Sequence, residues 1–267
     1  MQDLKIYIMY YKKGQILPLE ECYAPVYCGQ FPGKEMLKGF KDDTGEEISA
    51  KNPFYSELTG IFWVWKNTKQ DITGICHYRR YFTIQEEPWH LRLKYFLLHP
   101  FKFHWGPNPL IYTSNVEKYS SWVLSEGQAK EIFSAYQIIL PRARKVRYSI
   151  QRHYAKYHDK ADLDLITRLL ADRCPDFLPT WSQVLQGNTL YANNMFVLPS
   201  GRYEEFMEWW FGLLFAFEQA SELSRYEGYQ QRVLGFVAER LLTLWVFHKQ
   251  LIIKELPLIY FKKLKKE

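Results

Sequence analysis

Two adjacent guanidinium groups, Arg79 and Arg80 in His77-Tyr78-Arg79-Arg80-Tyr81, directly follow the apolar run Ile72 to Cys76. A strand ending in a fixed double Arg suits phosphate, because the guanidinium fork donates bidentately to anionic oxygens. Open α/β sheets bind ligands outside the carboxyl ends of their strands. Adjacent Arg residues are also common on solvated surfaces, but the bracketing Tyr78 and Tyr81 favour a ligand site. A second signal is Glu239, in the run Arg232-Val233-Leu234-Gly235-Phe236-Val237-Ala238-Glu239-Arg240. On a helix, Arg232, Gly235 and Glu239 share one face. The glycine would clear space beside a carboxylate whose apolar neighbours could raise its pKa toward that of a general base. The alternative is that Glu239 pairs with an Arg to satisfy a helix packed in the core.

The elements that must position these groups read as follows. Leu4 to Tyr11 predicts a central strand ending in the Lys12-Lys13-Gly14 loop, and Pro25 to Cys28 a short second strand. Gly29 to Lys41 reads as a loop, followed by the polar turn Asp42-Asp43-Thr44-Gly45-Glu46-Glu47. Asn52 and Pro53 give the N-cap and first turn of a helix reaching about Asn67. Its buried stripe is Phe54, Leu58, Ile61, Phe62 and Trp65; Ser56, Thr59, Trp63 and Lys66 share another face. The strand Ile72 to Cys76 completes a β–loop–β–α–β opening, which predicts an α/β fold with a mostly parallel central sheet flanked by helices.

Residues 86–125 interrupt that rhythm as an aromatic and basic excursion, which either packs on the main domain or lies on a membrane surface. Beyond it come a helix from Gln128 to Ser134 and a strand from Tyr136 to Leu140. A basic cluster of Arg142, Arg144, Lys145 and Arg147 follows, then two helices within 149–173. The polar turn Asn193-Asn194 enters a further strand. Helices over 201–220 and from about Ser224 to Lys249 precede a last strand, Leu251 to Ile259, broken at Pro257.

A length of 267 residues fits one domain spanning 1–267, and 47% hydrophobic residues provide an ample core. The net charge of +6 favours an acidic partner. There is no P-loop, Rossmann glycine fingerprint, HExxH or nucleophile elbow. The dispersed histidines show no metal spacing, so the expected metal is none. The N-terminus shows no cleavable signal pattern, no run reaches the roughly 18–20 apolar residues of a membrane span, and Cys22, Cys28, Cys76 and Cys174 form no disulfide framework. A reducing cytoplasm is the expected setting.

The run DDTGEEISAKNPFYSELTGIFWVWKN…GICHYRRYF (42–82) resembles the hallmark of bacterial capsule, exopolysaccharide and O-antigen glycosyltransferases long catalogued as a domain of unknown function. NNMFVL, RVLGFVAERLLTLWV and IKELP resemble that family's C-terminal half in the same order, so the likeness spans nearly the whole chain. It implies a GT-A-like nucleotide-sugar-binding fold and a UDP-sugar donor carrying galactose, as pyranose or furanose. The implied acceptor is a growing, lipid-linked surface polysaccharide, met by peripheral contact at the inner face of the membrane. Where that fold often ends a strand in a metal-holding Asp-x-Asp, this chain has His-Tyr-Arg-Arg; the resemblance therefore implies cationic side chains in place of a metal, and no cofactor. It also implies Glu239 as the base of an inverting displacement. The donor-side candidates are Tyr10, Tyr11, Asp42, Asp43, Asn52, Ser56, Thr59, Trp63, Lys66, His77, Arg79 and Arg80. The acceptor-side candidates are Asn193, Asn194 and Arg232. The chain departs from the family pattern at Tyr10-Tyr11-Lys12, where Tyr-His-Lys is usual, and at Glu46-Glu47, where Asp-Asn is usual. The rival reading is a non-catalytic protein that binds nucleic acid or a membrane surface. The basic residues cluster at strand ends with acids between them rather than forming a stripe, so nucleic acid is not the expected partner.

Overall fold

A strand with apolar side chains on both faces belongs at the centre of a covered sheet. β1 (Leu4–Tyr10) takes that place in the computed structural model, which describes residues 2–13, 16–98, 109–262 and 264. β2 (Tyr23–Tyr27) pairs with it in parallel on one side and carries β3 (Phe40–Lys41); β4 (Ile72–His77) pairs in parallel on the other. The remaining strands are β5 (Arg80–Phe82), β6 (Leu110–Thr113), β7 (Ile138–Pro141), β8 (Arg144–Lys145), β9 (Thr189–Leu190), β10 (Phe196–Pro199), β11 (Ile253–Leu256) and β12 (Leu258–Phe261). The main sheet runs β11-β7-β10-β4-β1-β2-β3, with β10 antiparallel to both neighbours. β5 turns back from β4 to meet β12, which pairs in parallel with β6, while β8 and β9 form a separate ladder. This is the mixed, mostly parallel α/β sheet that the sequence predicts.

Alternation along β1 divides the interior into two cores. Tyr7 and Met9 join the one packed by helices, and Leu4, Ile6, Ile8 and Tyr10 the other. The helices are α1 (Asn52–Tyr55), α2 (Leu58–Asn67), α3 (Trp89–Leu98), α4 (Val116–Ser120), α5 (Glu126–Ile132), α6 (Ile150–Tyr157), α7 (Lys160–Arg173), α8 (Leu178–Gln186), α9 (Ser200–Ala220) and α10 (Val233–His248). Rings of α9 and α10 interlock at the first core, with Phe206 4.8 Å from both Trp210 and Trp245.

The structure corrects three sequence expectations. The single helix from Asn52 to Asn67 is broken at Ser56, whose φ of 52° turns the chain out of the helical path. Asn52 is not the N-cap: Lys51 precedes the first turn, and the Asn52 amide instead bridges the break, donating to the Ser56 carbonyl at 2.7 Å and to Thr59 Oγ1 at 3.0 Å. The long helix expected from Ser224 begins only at Val233, behind two short 3-10 turns, so Arg232 stands just before the helix and not on its face. Of the two readings of the excursion over 86–125, β6 within it accords with packing on the main domain, since it extends the sheet through β12; its residues 99–108 lie outside the described ones. α8 has no counterpart in the sequence reading.

Gly60 lets α2 lie against β1 and β2. A Cβ there would stand 2.3 Å from Cys28 Sγ and 2.7 Å from Met9 Sδ, both buried. Gly60→Leu is therefore expected to destabilise by at least about 1–3 kcal/mol, the range for overpacking a filled core. A urea-unfolding midpoint equal to that of the unsubstituted chain would contradict this packing.

Candidate active site

The parallel strands β1, β2 and β4 all point their carboxyl ends at one cleft of about 660 Å³. Tyr10 and Tyr11, Cys28, and His77 reach it from the ends of these strands. The hairpin from β4 into β5 adds Tyr78, Arg79 and Arg80, because His77 and Arg80 face each other across the turn. The cleft is also lined by Asn52, Ser56 and Glu57 from the broken helix, Asn193 from the turn before β10, and Arg232, Gly235, Phe236, Glu239 and Arg240. Arg144, His153 and His158 close a further wall.

The double Arg is held by rings and not by acids. Arg79 lies 5.2 Å from the Tyr78 ring centre, and Arg80 lies 5.3 Å from that of Tyr260. Tyr11 and Tyr78 share a hydroxyl contact of 2.8 Å at the rim. The Nε atoms of both Arg79 and Arg80 are buried without a hydrogen-bond partner. Buried donors are nearly always satisfied, so two orphans on adjacent cations mark this hairpin as a candidate anion site.

Two carboxylates face the cleft. Glu239 Oε1 accepts the Asn193 backbone N–H at 2.6 Å, and Oε2 lies 2.9 Å from Arg240 Nη1. Glu57 accepts from Asn194 Nδ2 at 2.9 Å and pairs with Arg232 Nη2 at 3.1 Å, while Arg232 Nε donates to Ser56 Oγ at 2.8 Å. Burial alone would raise the Glu57 carboxyl, but His77, Arg232 and the Asn194 amide outweigh it and hold the group below its ordinary range. The space left by Gly235 adjoins Glu57 and not Glu239: a Cβ there would lie 4.0 Å from Glu57 Oε1. Asn193 and Asn194 both adopt positive φ, at 78° and 49°, a conformation Asn tolerates better than most residues. His77 Nε2 bonds the Asn193 carbonyl. A carbonyl can only accept, so Nε2 carries the proton. Burial pushes the imidazole pKa down against the pull of Glu57, with Arg80 adding to the depression, so the neutral ring keeps its lone pair on Nδ1.

Of the candidates read from the sequence, Tyr10, Tyr11, Asn52, Ser56, His77, Arg79, Arg80, Asn193, Arg232 and Glu239 line the cleft. The others do not line it. Asp42 is fully buried, accepts the Gly29 N–H at 2.9 Å and pairs with Lys34 at 2.7 Å; Asp43 shares that lysine at 3.1 Å. Thr59 bonds across the Ser56 break, Trp63 donates to the Thr44 carbonyl at 2.7 Å, and Lys66 sits 3.8 Å over the Trp65 ring. Asn194 is buried beneath the wall, supporting Glu57. The sequence reading left out of its site Glu57, Tyr78, Arg144, His153, His158, Arg240 and Tyr260. The basic cluster over 142–147 was the available signal for Arg144. Among the described residues, no three His, Cys, Asp or Glu side chains converge as a metal site.

The chain is an α/β protein with a candidate active site at the carboxyl ends of parallel strands, lined by cations and two carboxylates. The chain belongs to the family described as domain of unknown function DUF4422, whose model matches residues 5–250. It is similar to the apo structure of the WbbM bifunctional glycosyltransferase, with a TM-score of 0.85 and 26% sequence identity over 98% of this chain and 46% of that one. This chain thus spans less than half the length of that protein. No curated protein matches it.

The His77 geometry carries a pH dependence. Its folded pKa lies below the ordinary value of about 6.5, so between those two values the unfolded chain binds a proton that the folded chain does not. Stability should therefore fall as pH drops below about 6.5, and at lower pH the depressed Glu57 carboxyl continues the loss in the same direction. In thermal melts across this range, His77→Gln is expected to lose less stability on acidification than the unsubstituted chain. Identical pH profiles would remove His77 as the source.

Proposed function

We propose that the chain is a glycosyltransferase that moves a hexose, with galactose favoured, from a UDP-sugar to a lipid-linked polysaccharide acceptor. The observation that carries this reading is that Arg79 and Arg80, with orphaned Nε donors, line the same cleft as Glu239. The similarity to WbbM supports the reaction class. The diphosphate lies against Arg79 and Arg80, whose charge stabilises the departing UDP. The acceptor hydroxyl oxygen attacks the sugar's anomeric carbon as the bond from that carbon to the diphosphate oxygen breaks. The electron pair leaves with UDP, and Glu239 takes the hydroxyl proton, giving inversion. A carboxylate offers about four lone-pair sites; the contacts from Asn193 N and Arg240 orient Glu239 while leaving sites for that proton. Glu57, ion-paired with Arg232 and held below its ordinary range, serves to position the wall.

Replacing Arg79 or Arg80 by Gln should weaken UDP binding by about 1.5–3 kcal/mol, the range for hydrogen bonds to charged groups. Glu239→Gln should lower turnover by about 10²–10⁴-fold with UDP affinity retained. Calorimetry with UDP and a UDP-release assay over a panel of UDP-sugars read both effects. Unchanged affinity in both Arg variants, or near-normal turnover in a folded Glu239→Gln protein, would sink the respective role. Because guanidinium groups do the neutralising in this scheme, activity should survive EDTA; activity abolished by EDTA and restored by Mn²⁺ would overturn it.

The membrane-facing part of the proposal is supported by α3. No helix among the described residues is long and apolar enough to cross a membrane. Trp89, Leu93 and Leu97, at i, i+4 and i+8 on α3, are all exposed. Such a stripe suits shallow insertion at an interface. The run Phe261–Lys266 carries four Lys, and its residues 263, 265 and 266 lie outside the described ones. Flotation with anionic liposomes at low salt should carry the chain upward, and Trp89→Glu with Leu97→Glu should abolish that. Absence of binding by the unsubstituted chain would refute peripheral attachment.

A further inference from the structure

Five Arg residues line the cleft. Arg232 is paired with Glu57 and Arg240 with Glu239; Arg79, Arg80 and Arg144 form no ion pair among the described residues. Arg79 and Arg80 stand together on one hairpin and account for one anion. Arg144 belongs to a different wall. It sits on β8 opposite Leu190 of β9, which also lines the cleft, and shares that wall with His153 of α6. Arg240 completes it: the residue is buried, its guanidinium lies 4.9 Å from the Tyr154 ring centre, and its Nε has no hydrogen-bond partner. Burial together with Arg240, Arg144 and Lys156 presses the His153 imidazole below its ordinary pKa, a sign of positive potential that no acid relieves. The same side continues outward as a basic rim. Arg147, Arg152 and Lys156 surround the Tyr148 ring at 5.5, 4.4 and 5.8 Å.

We propose that Arg144, His153 and Arg240 form a second anion-binding subsite, which takes a phosphate or carboxylate group of the molecule that receives the sugar. This rests on the glycosyl-transfer reading above. Glu239 marks the boundary between the two subsites, since its Oε2 meets Arg240 at 2.9 Å while its Oε1 meets the Asn193 turn that holds His77. An acceptor anchored by its anion on the Arg144 side would present a neighbouring hydroxyl to Glu239, with the donor diphosphate on the far side. Mutual repulsion of the two anions is avoided because each has its own uncompensated guanidinium. Two kinds of acceptor carry this chemistry, a diphosphate-linked lipid and a glycan with an acidic sugar.

Calorimetric titration of the full chain saturated with UDP tests the subsite, with inorganic pyrophosphate in one arm and glucuronate in the other. At least one probe should bind. Arg144→Gln combined with His153→Gln should weaken it by about tenfold or more, Arg144→Lys by less, and Arg79→Gln with Arg80→Gln should leave the probe bound. Binding in the pyrophosphate arm assigns the phosphate-bearing acceptor, and binding only in the glucuronate arm assigns the acidic glycan. If UDP binds but neither probe does, or if a probe binds equally well to the folded Arg144→Gln/His153→Gln protein, the subsite is wrong and the donor reading stands. If UDP fails to bind while a probe is still held in an Arg144-dependent way, the subsite stands and the donor reading falls.

Discussion

Glu57 is the charge on which the cleft depends. Its carboxylate ties together three stretches of chain: the helix break at Ser56, the turn ending in Arg232, and the Asn193-Asn194 turn. A carboxylate taken partly out of water must be compensated, and each compensating group brings a wall of the site with it. Arg232 comes from the turn before α10, and Asn194 fixes the strained turn whose neighbour Asn193 bonds both Glu239 and His77. Glu57 itself can face inward only because Ser56 leaves the helical path. On an unbroken helix following Asn52, the residue would point elsewhere.

The sheet supplies the other half of the geometry. Parallel β1, β2 and β4 deliver their last residues to one edge, so the cationic hairpin at Arg79 and Arg80 is held by backbone pairing and not by a flexible loop. Rings from Tyr78 and Tyr260 support those cations without neutralising them. The cleft therefore keeps two pairs of internally balanced charges, Glu57 with Arg232 and Glu239 with Arg240, beside three guanidinium groups free to meet anions.

Much of this was legible in local sequence. Apolar runs fixed β1 and β4, and the position of Arg79 and Arg80 at a strand end followed from the run before them. Glu239 stood out through the neighbouring glycine, although the space that Gly235 leaves adjoins Glu57. What escaped was set by long-range contacts. The break at Ser56 has no Gly or Pro at the turning residue; it is held by Asn52, Thr59 and Arg232, the last from 176 residues away. Trp63 and Asp42 were both donor-side candidates, but Trp63 spends its N–H on Thr44 and Asp42 is consumed by Lys34. Residue type revealed the polar groups, and only tertiary pairing showed which were already satisfied.

The central claim is that the cleft receives a nucleoside diphosphate on Arg79 and Arg80. A crystal structure of the chain with UDP tests it most directly. The account predicts diphosphate oxygens within hydrogen-bond distance of both guanidinium groups, with the terminal phosphate turned toward Glu239. UDP bound elsewhere, or bound in the cleft with its diphosphate clear of both arginines, would contradict it.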